Sequence, residues 1–137
     1  MNSTRVISLW EWVDARGHGV MSSTTLPAAQ RAKLDERLDR IEELEELTFE
    51  SIAGLIFPFH HALKKMKIRG DVALRPVLAL GPIDEKKEVT FLLIAKEINR
   101  RLPPDTKSVG LQRLQEVEND PKKRRQPYKR NPGASSQ

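Results

Sequence analysis

Two apolar runs, residues 72–80 and 89–95, each come with one cation. Arg75 sits inside the first, Lys96 follows the second, and the chain leaves through Asn99-Arg100-Arg101. A guanidinium is a planar, two-pronged donor that suits a phosphate, and an ammonium adds a compact second charge. Cations entering and leaving an apolar hairpin are therefore candidates for gripping a phosphate. The plainer reading of any one of them is a long side chain at a sheet edge, its stem buried and its head in water. Only their joint placement separates the two readings.

That placement depends on a hairpin. The runs are rich in Val, Leu and Ile and flank a polar turn, 81–87, so they read as adjacent antiparallel strands, 72–80 and 88–98. Neither run alternates cleanly, which implies cover on both faces. Pairing of Gly81 with Glu88 sets Arg75 opposite Ile94 and Lys96 opposite Ala73, on one face, as diagonal neighbours ~7–8 Å apart. Pairing of Leu80 with Glu88 puts the two cations on opposite faces. The expectation adopted is the first register. Pro76 removes a ladder donor beside Arg75, which argues for a local edge or bulge.

The chain has 137 residues, a net charge of +5 and no cysteine. That is enough for one modest core, and it excludes a disulfide scaffold and thiolate catalysis. No apolar run approaches the ~20 residues that span a bilayer, and the first residues lack a signal-peptide pattern, so a soluble, cytoplasmic protein is expected. Charge is uneven. Residues 1–63 hold 6 Lys and Arg against 10 Asp and Glu, residues 64–101 hold 10 against 5, and residues 121–137 hold 6 against none. A basic hairpin and tail beside an acidic region fit a molecule with one polyanion-facing side.

Residues 5–13 read as a first strand, with Trp10 and Trp12 on one face and Ile7, Leu9 and Val13 on the other. Leu34, Leu38, Ile41 and Leu44 recur at helical spacing and predict an amphipathic helix over 27–47, opened by Pro27. Phe49, Ile52, Ala53 and Ile56 extend that spacing in a short helix. Pro58 interrupts it, and Phe59, Ala62, Leu63 and Met66 predict another helical turn. His60 and His61 would then point about 100° apart, and no Cys or spaced carboxylate completes a metal site around them. Val109, Leu111, Leu114 and Val117 predict a C-terminal helix ending near Pro121. The stretch 121–137 has no apolar periodicity and no acid, which predicts a disordered basic tail. The expected fold is α+β: a small curved antiparallel sheet with the long N-terminal helix packed on it and a C-terminal helix.

Four segments carry a family resemblance: LPAAQRAKLDERL at 26–38, GDVALRPVL at 70–78, EVTFLLIAK at 88–96, and PPD at 103–105 followed by a helix with Arg113. Their order and character resemble the RelE/HigB-like toxins of bacterial toxin–antitoxin modules, in particular their phage-associated members. The resemblance implies a RelE/ParE-like fold and a single toxin domain at 1–120. It also implies a ribosome-dependent endoribonuclease that cuts mRNA without a metal or other cofactor and so inhibits translation. The implied partners are mRNA on the ribosome and a cognate antitoxin, often a helix-turn-helix protein, with no membrane. Carried over, the catalytic residues are Arg75 and Lys96. RNA-binding residues are Arg69, Arg100 and Arg101, joined by Lys122, Lys123, Arg124 and Arg125 of the tail. The alternative is a non-catalytic nucleic-acid- or protein-binding module of the same fold.

Metal-free RNA cleavage needs a base for the 2′-hydroxyl proton, fixed positive charge at the transition state and an acid for the leaving 5′-oxygen. The hairpin cations supply the second. Glu97 reaches the same cleft as Lys96 only through a bulge, since adjacent strand residues face opposite ways. Lys96 with a depressed pKa, or Tyr128 folded back from the tail, are the remaining acid or base candidates.

Overall fold

The structure, a computed structural model, describes residues 6–130. Among these, six strands form one sheet: β1 (Ser8–Trp12), β2 (Phe57–His60), β3 (Leu63–Lys65), β4 (Ala73–Leu80), β5 (Glu88–Glu97) and β6 (Arg125–Pro127). Helices α1 (Ala28–Glu42), α2 (Thr106–Asn119) and α3 (Pro121–Arg124) complete the elements. The spatial order of strands is β2-β3-β4-β5-β1-β6. All neighbours are antiparallel except β1 and β5, which run parallel with Ser8 opposite Glu88.

This corrects the expected small curved antiparallel sheet under one long helix. The sheet is mixed and helices cover both faces. On one face α1 brings Leu34, Leu38 and Ile41, all wholly buried, onto Leu9, Met66, Leu74, Leu78, Val89 and Phe91. On the other, α2 brings Leu114 and Val117 onto Trp12, Leu63, Val77, Ala79 and Leu92. The parallel β1–β5 pair was hidden from local reading because its partners lie 80 positions apart in sequence.

Helix α1 starts just after Pro27 and ends at Glu42, short of the expected 47. Glu42, Glu43, Glu45 and Glu46 crowd its C-terminal end, where the carbonyl dipole disfavours negative charge. Residues 49–56 form irregular turns rather than a helix, with Thr48 and Ser51 exchanging side-chain hydrogen bonds at 2.8 and 3.0 Å. The helical turn expected around Phe59–Met66 is instead the β2–β3 hairpin, closed by His61 in the left-handed region at φ 52°.

The tail expected to be unordered from 121 is α3 and β6 as far as the description reaches. Strand β6 pairs with β1, Arg125 opposite Trp12. Arg125 is buried, its Nη1 donating to Glu88 Oε2 at 2.8 Å and to Thr90 Oγ1 at 3.2 Å, its guanidinium 3.9 Å from the Trp10 ring. The Tyr128 hydroxyl accepts from Arg31 at 2.9 Å. Arg130 clasps α1, donating to the Asp35 carbonyl at 2.9 Å, to the Asp39 carboxylate at 2.6 Å and to the Glu42 carboxylate. Residues 131–137 lie outside the described residues.

Candidate nucleic-acid interface

The register of the β4–β5 hairpin changes along its length. Next to the turn it is the expected one: Gly81 N donates to Glu88 O at 2.8 Å and Leu80 lies opposite Val89. Between Val77 and Leu78 it shifts, because β5 carries one extra residue, Leu92. Leu92 and Leu93 then both face α2, while Phe91 and Ile94 face α1. The bulge carbonyl does not go unpaired: Arg113 of α2 donates to Leu92 O at 2.9 Å while its guanidinium lies 4.0 Å from the Trp12 ring. The Pro76 vacancy falls on the other side of β4, where Met66 N donates to Pro76 O at 2.9 Å and no N–H answers it. β4 is thus an interior strand.

The consequence separates the two expected catalytic residues. Beyond the bulge Arg75 lies opposite Ala95 and Lys96 opposite Leu74. Leu74 belongs to the α1-facing core, so Lys96 points to that side and Arg75 to the α2 side. The joint Arg75–Lys96 phosphate site does not form. Lys96 is exposed and lines a cleft of about 580 Å³ together with Thr24, Ile98 and Val109. Glu97 takes the face expected for Lys96 and pairs with Arg75 at 3.0 Å.

Arg75 instead joins a group that the sequence reading did not assemble. Val77, Lys65 and Phe57 are cross-strand neighbours on the α2 face. Lys67, two residues on from Lys65, shares that side. A register shift in β2 between Pro58 and His60 leaves both Phe59 and His60 facing α2 as well, since His60 lies opposite buried Leu63. Helix α2 does not cover them. It seats on Leu63 at Gly110, where a Cβ would fall 2.9 Å from Leu63 Cδ1, and its first turn delivers Lys107 to the rim. The result is an open strip of sheet with two phenyl rings, half-buried, among four cations. Lys67 Nζ stands 4.3 Å from the Phe57 ring centroid, and Lys65 and Lys107 stand 5.2 and 5.8 Å from that of Phe59. His61 meets His60 edge-on at 4.2 Å.

The strip is electrostatically strained. Partial burial pushes the Lys65 ammonium below its usual range, and the charges of Lys67, Arg75 and Lys107 push it further, with Glu97 pulling back. His60 is lowered as well, by desolvation and then by His61 and Lys107. Each shift means that the neighbourhood resists one more positive charge. An anion laid on the strip offsets the part of that resistance that comes from the neighbouring cations.

The other predicted binding residues scatter. Arg69 is exposed in the loop before β4, its carbonyl accepting from Lys33 at 3.1 Å. Arg100 and Arg101 are exposed in the turn after β5, Arg100 at φ 64°. Lys122 and Lys123 are exposed on α3, which leads into β6 at the sheet edge opposite β2. Arg124 is spent on Glu116 at 2.6 Å and lies 5.4 Å from the Trp12 ring, and Arg125 is buried in its ion pair. Tyr128 is likewise internal. Among the described residues, no group of three or more His, Cys, Asp and Glu is placed to hold a metal. No helix there is long and apolar enough to cross a membrane. The signal that was missed is a period of two: Phe57-x-Phe59 and Lys65-x-Lys67 alternate as strands do, and the helical spacing of Phe59, Leu63 and Met66 masked it.

No family model matches the chain, and no curated protein or solved structure is significantly similar to it.

Proposed function

We propose that the protein is a nucleic-acid-binding module, non-catalytic, whose contact surface is the strip of sheet left open beside α2. The observation that carries this reading is the set Lys65, Lys67, Arg75 and Lys107 gathered around Phe57 and Phe59, with Lys65 held below its ordinary pKa by partial burial and then by the neighbouring cations. Cations that repel one another on an open face are relieved by a polyanion, and phosphate contacts of this kind dominate nucleic-acid affinity. Fluorescence anisotropy with a labelled RNA tests it. Lys65→Ala with Lys67→Ala weakens binding and lowers the slope of log K against log salt, by about 0.7 for each phosphate of a single strand that no longer meets a lysine. An unchanged affinity and slope would sink the reading.

An endoribonuclease is the second reading: the toxin of a toxin–antitoxin module, acting on ribosome-bound mRNA and neutralised by a cognate antitoxin. The observation that favours it is the Glu97 carboxylate beside Arg75 on the same strip, a base next to fixed positive charge. Induced expression in a bacterial host decides it. Growth arrest relieved by Glu97→Gln supports the toxin, and unimpaired growth removes it.

A further inference from the structure

We propose that the strip selects single-stranded nucleic acid, with two successive bases unstacked from each other and laid on Phe57 and Phe59. The inference rests on the nucleic-acid reading and adds the form of the ligand. Phe57 and Phe59 are two residues apart on β2, whose regular rise would space their backbone positions about 6.6 Å, before the register shift between Pro58 and His60. Stacked bases follow one another at about 3.4 Å. A strand that puts one base on each ring must therefore open its own stack. A single strand does so readily, whereas the bases of a duplex are held inside and offer no face. Every base has a π-face, so the rings discriminate strandedness rather than sequence.

The cations are placed for the other half of the contact. In the free protein the ammonium groups of Lys67, Lys65 and Lys107 hover over the two rings at 4.3–5.8 Å. A stacking base takes their place, and the flexible lysine stems carry the charges outward to the phosphates on either side. The cation–ring contact is exchanged for base–ring stacking and a phosphate contact, and the mutual repulsion at Lys65 is relieved in the same step. Arg75, held by Glu97 and by the Leu74 carbonyl at 3.1 Å, stays as a fixed charge at the β4 end of the strip. The nucleic-acid strand runs along β2, from Lys67 at Phe57 to Lys65 and Lys107 at Phe59, and His60, next to Phe59 in the sequence, adds a third ring at that end.

The test uses the full chain and three labelled probes at low salt: a ten-nucleotide oligouridylate, the matching oligothymidylate and a ten-base-pair RNA duplex. Both single strands are expected to bind at least tenfold tighter than the duplex, and their ratio states whether RNA or DNA is preferred. Phe57→Leu with Phe59→Leu keeps apolar bulk but removes the π-faces. It should erase the preference, with a loss on the order of tenfold per ring for the single strands and no change for the duplex. A melting temperature for the variant close to that of the parent confirms that the fold persists. Phe57→Leu alone, away from the core that Phe59 touches, gives the same readout if the double variant melts early. Equal binding of duplex and single strands, or a preference that survives the leucines, overturns this inference and leaves the nucleic-acid reading standing. Failure of all three probes to bind removes that reading itself, and the inference with it.

Discussion

Replacing Arg125 by methionine takes the cation from a carboxylate that the fold has already withdrawn from water. The Arg125 and Glu88 side chains are 4% and 11% exposed, and the guanidinium meets both carboxylate oxygens, at 2.8 and 3.4 Å. Without it, Glu88 retains two backbone donors, Ile83 N and Asp84 N, both at 3.2 Å. Methionine preserves the apolar stem and some of the packing on Trp10, so the effect is mainly electrostatic. Breaking one partner out of a buried pair costs about 3–5 kcal/mol. For a chain of this size that is a fall in melting temperature on the order of 10–20 °C. Glu88→Leu added to Arg125→Met should recover most of the loss, because the stranded charge then goes too. Calorimetry or urea titration of the two single variants and the double gives the coupling directly. A single variant that melts within about 3 °C of the parent would refute the buried pair as a structural tie. The same reasoning makes removal of residues 121–137 strongly destabilising, since β6, the Tyr128 hydrogen bond and the Arg130 clasp leave with it.

Burial pushes the Tyr128 hydroxyl above its usual 10, with Arg31 opposing, so the folded state holds a proton that the unfolded chain releases. The contribution of this group to stability should be flat below pH 10 and fall as pH rises beyond it. The chain has one tyrosine, so tyrosinate absorbance reads this group alone, and a folded-state midpoint at or below 10 would contradict the burial. Gly19→Ala should destabilise by about 2 kcal/mol or more, because its Cβ would lie 2.2 Å from the Glu11 carboxyl carbon and displace that group from Met21 N, Ser22 N, Ser22 Oγ and Gln126 Nε2. Urea unfolding measures it, and a neutral result would mean that Glu11 is not fixed. Arg113→Met should cost about 1–3 kcal/mol by orphaning Leu92 O, and amide exchange at 92–94 should accelerate. Unchanged exchange there would show that the bulge does not depend on Arg113.

What the sequence made legible was what repeats locally. Leu34, Leu38 and Ile41 recur at helical steps, and they are buried on α1. The β4–β5 pair announces itself through apolar runs and a Gly-Pro turn. Two other segments were misread because their partners are remote. Arg125 and Tyr128 lie in a stretch with no periodicity of its own. Their order comes from Glu88, Trp10 and Arg31, 37, 115 and 97 positions away. The 57–66 segment satisfies the helical and the strand period together, and the sheet edge offered by β4 decides for the strand. Local propensity is a weak guide wherever a pairing partner is available elsewhere in the chain.

The site turns on a single residue. With Leu92 in the ladder, the hairpin would have kept its first register and put Arg75 and Lys96 side by side. With Leu92 bulged, Glu97 takes the place beside Arg75 and Lys96 turns to the other face. Nothing in the spacing of residues 88–97 marks the bulge, and the group that satisfies its carbonyl is Arg113, a polar side chain 21 positions on. The ion pair with Glu97 fixes Arg75 in place and tempers its charge. The remaining cations of the strip are Lys65, Lys67 and Lys107, which stand over phenyl rings. On the nucleic-acid reading proposed above, ammonium groups standing over flat rings suit a strand of variable sequence.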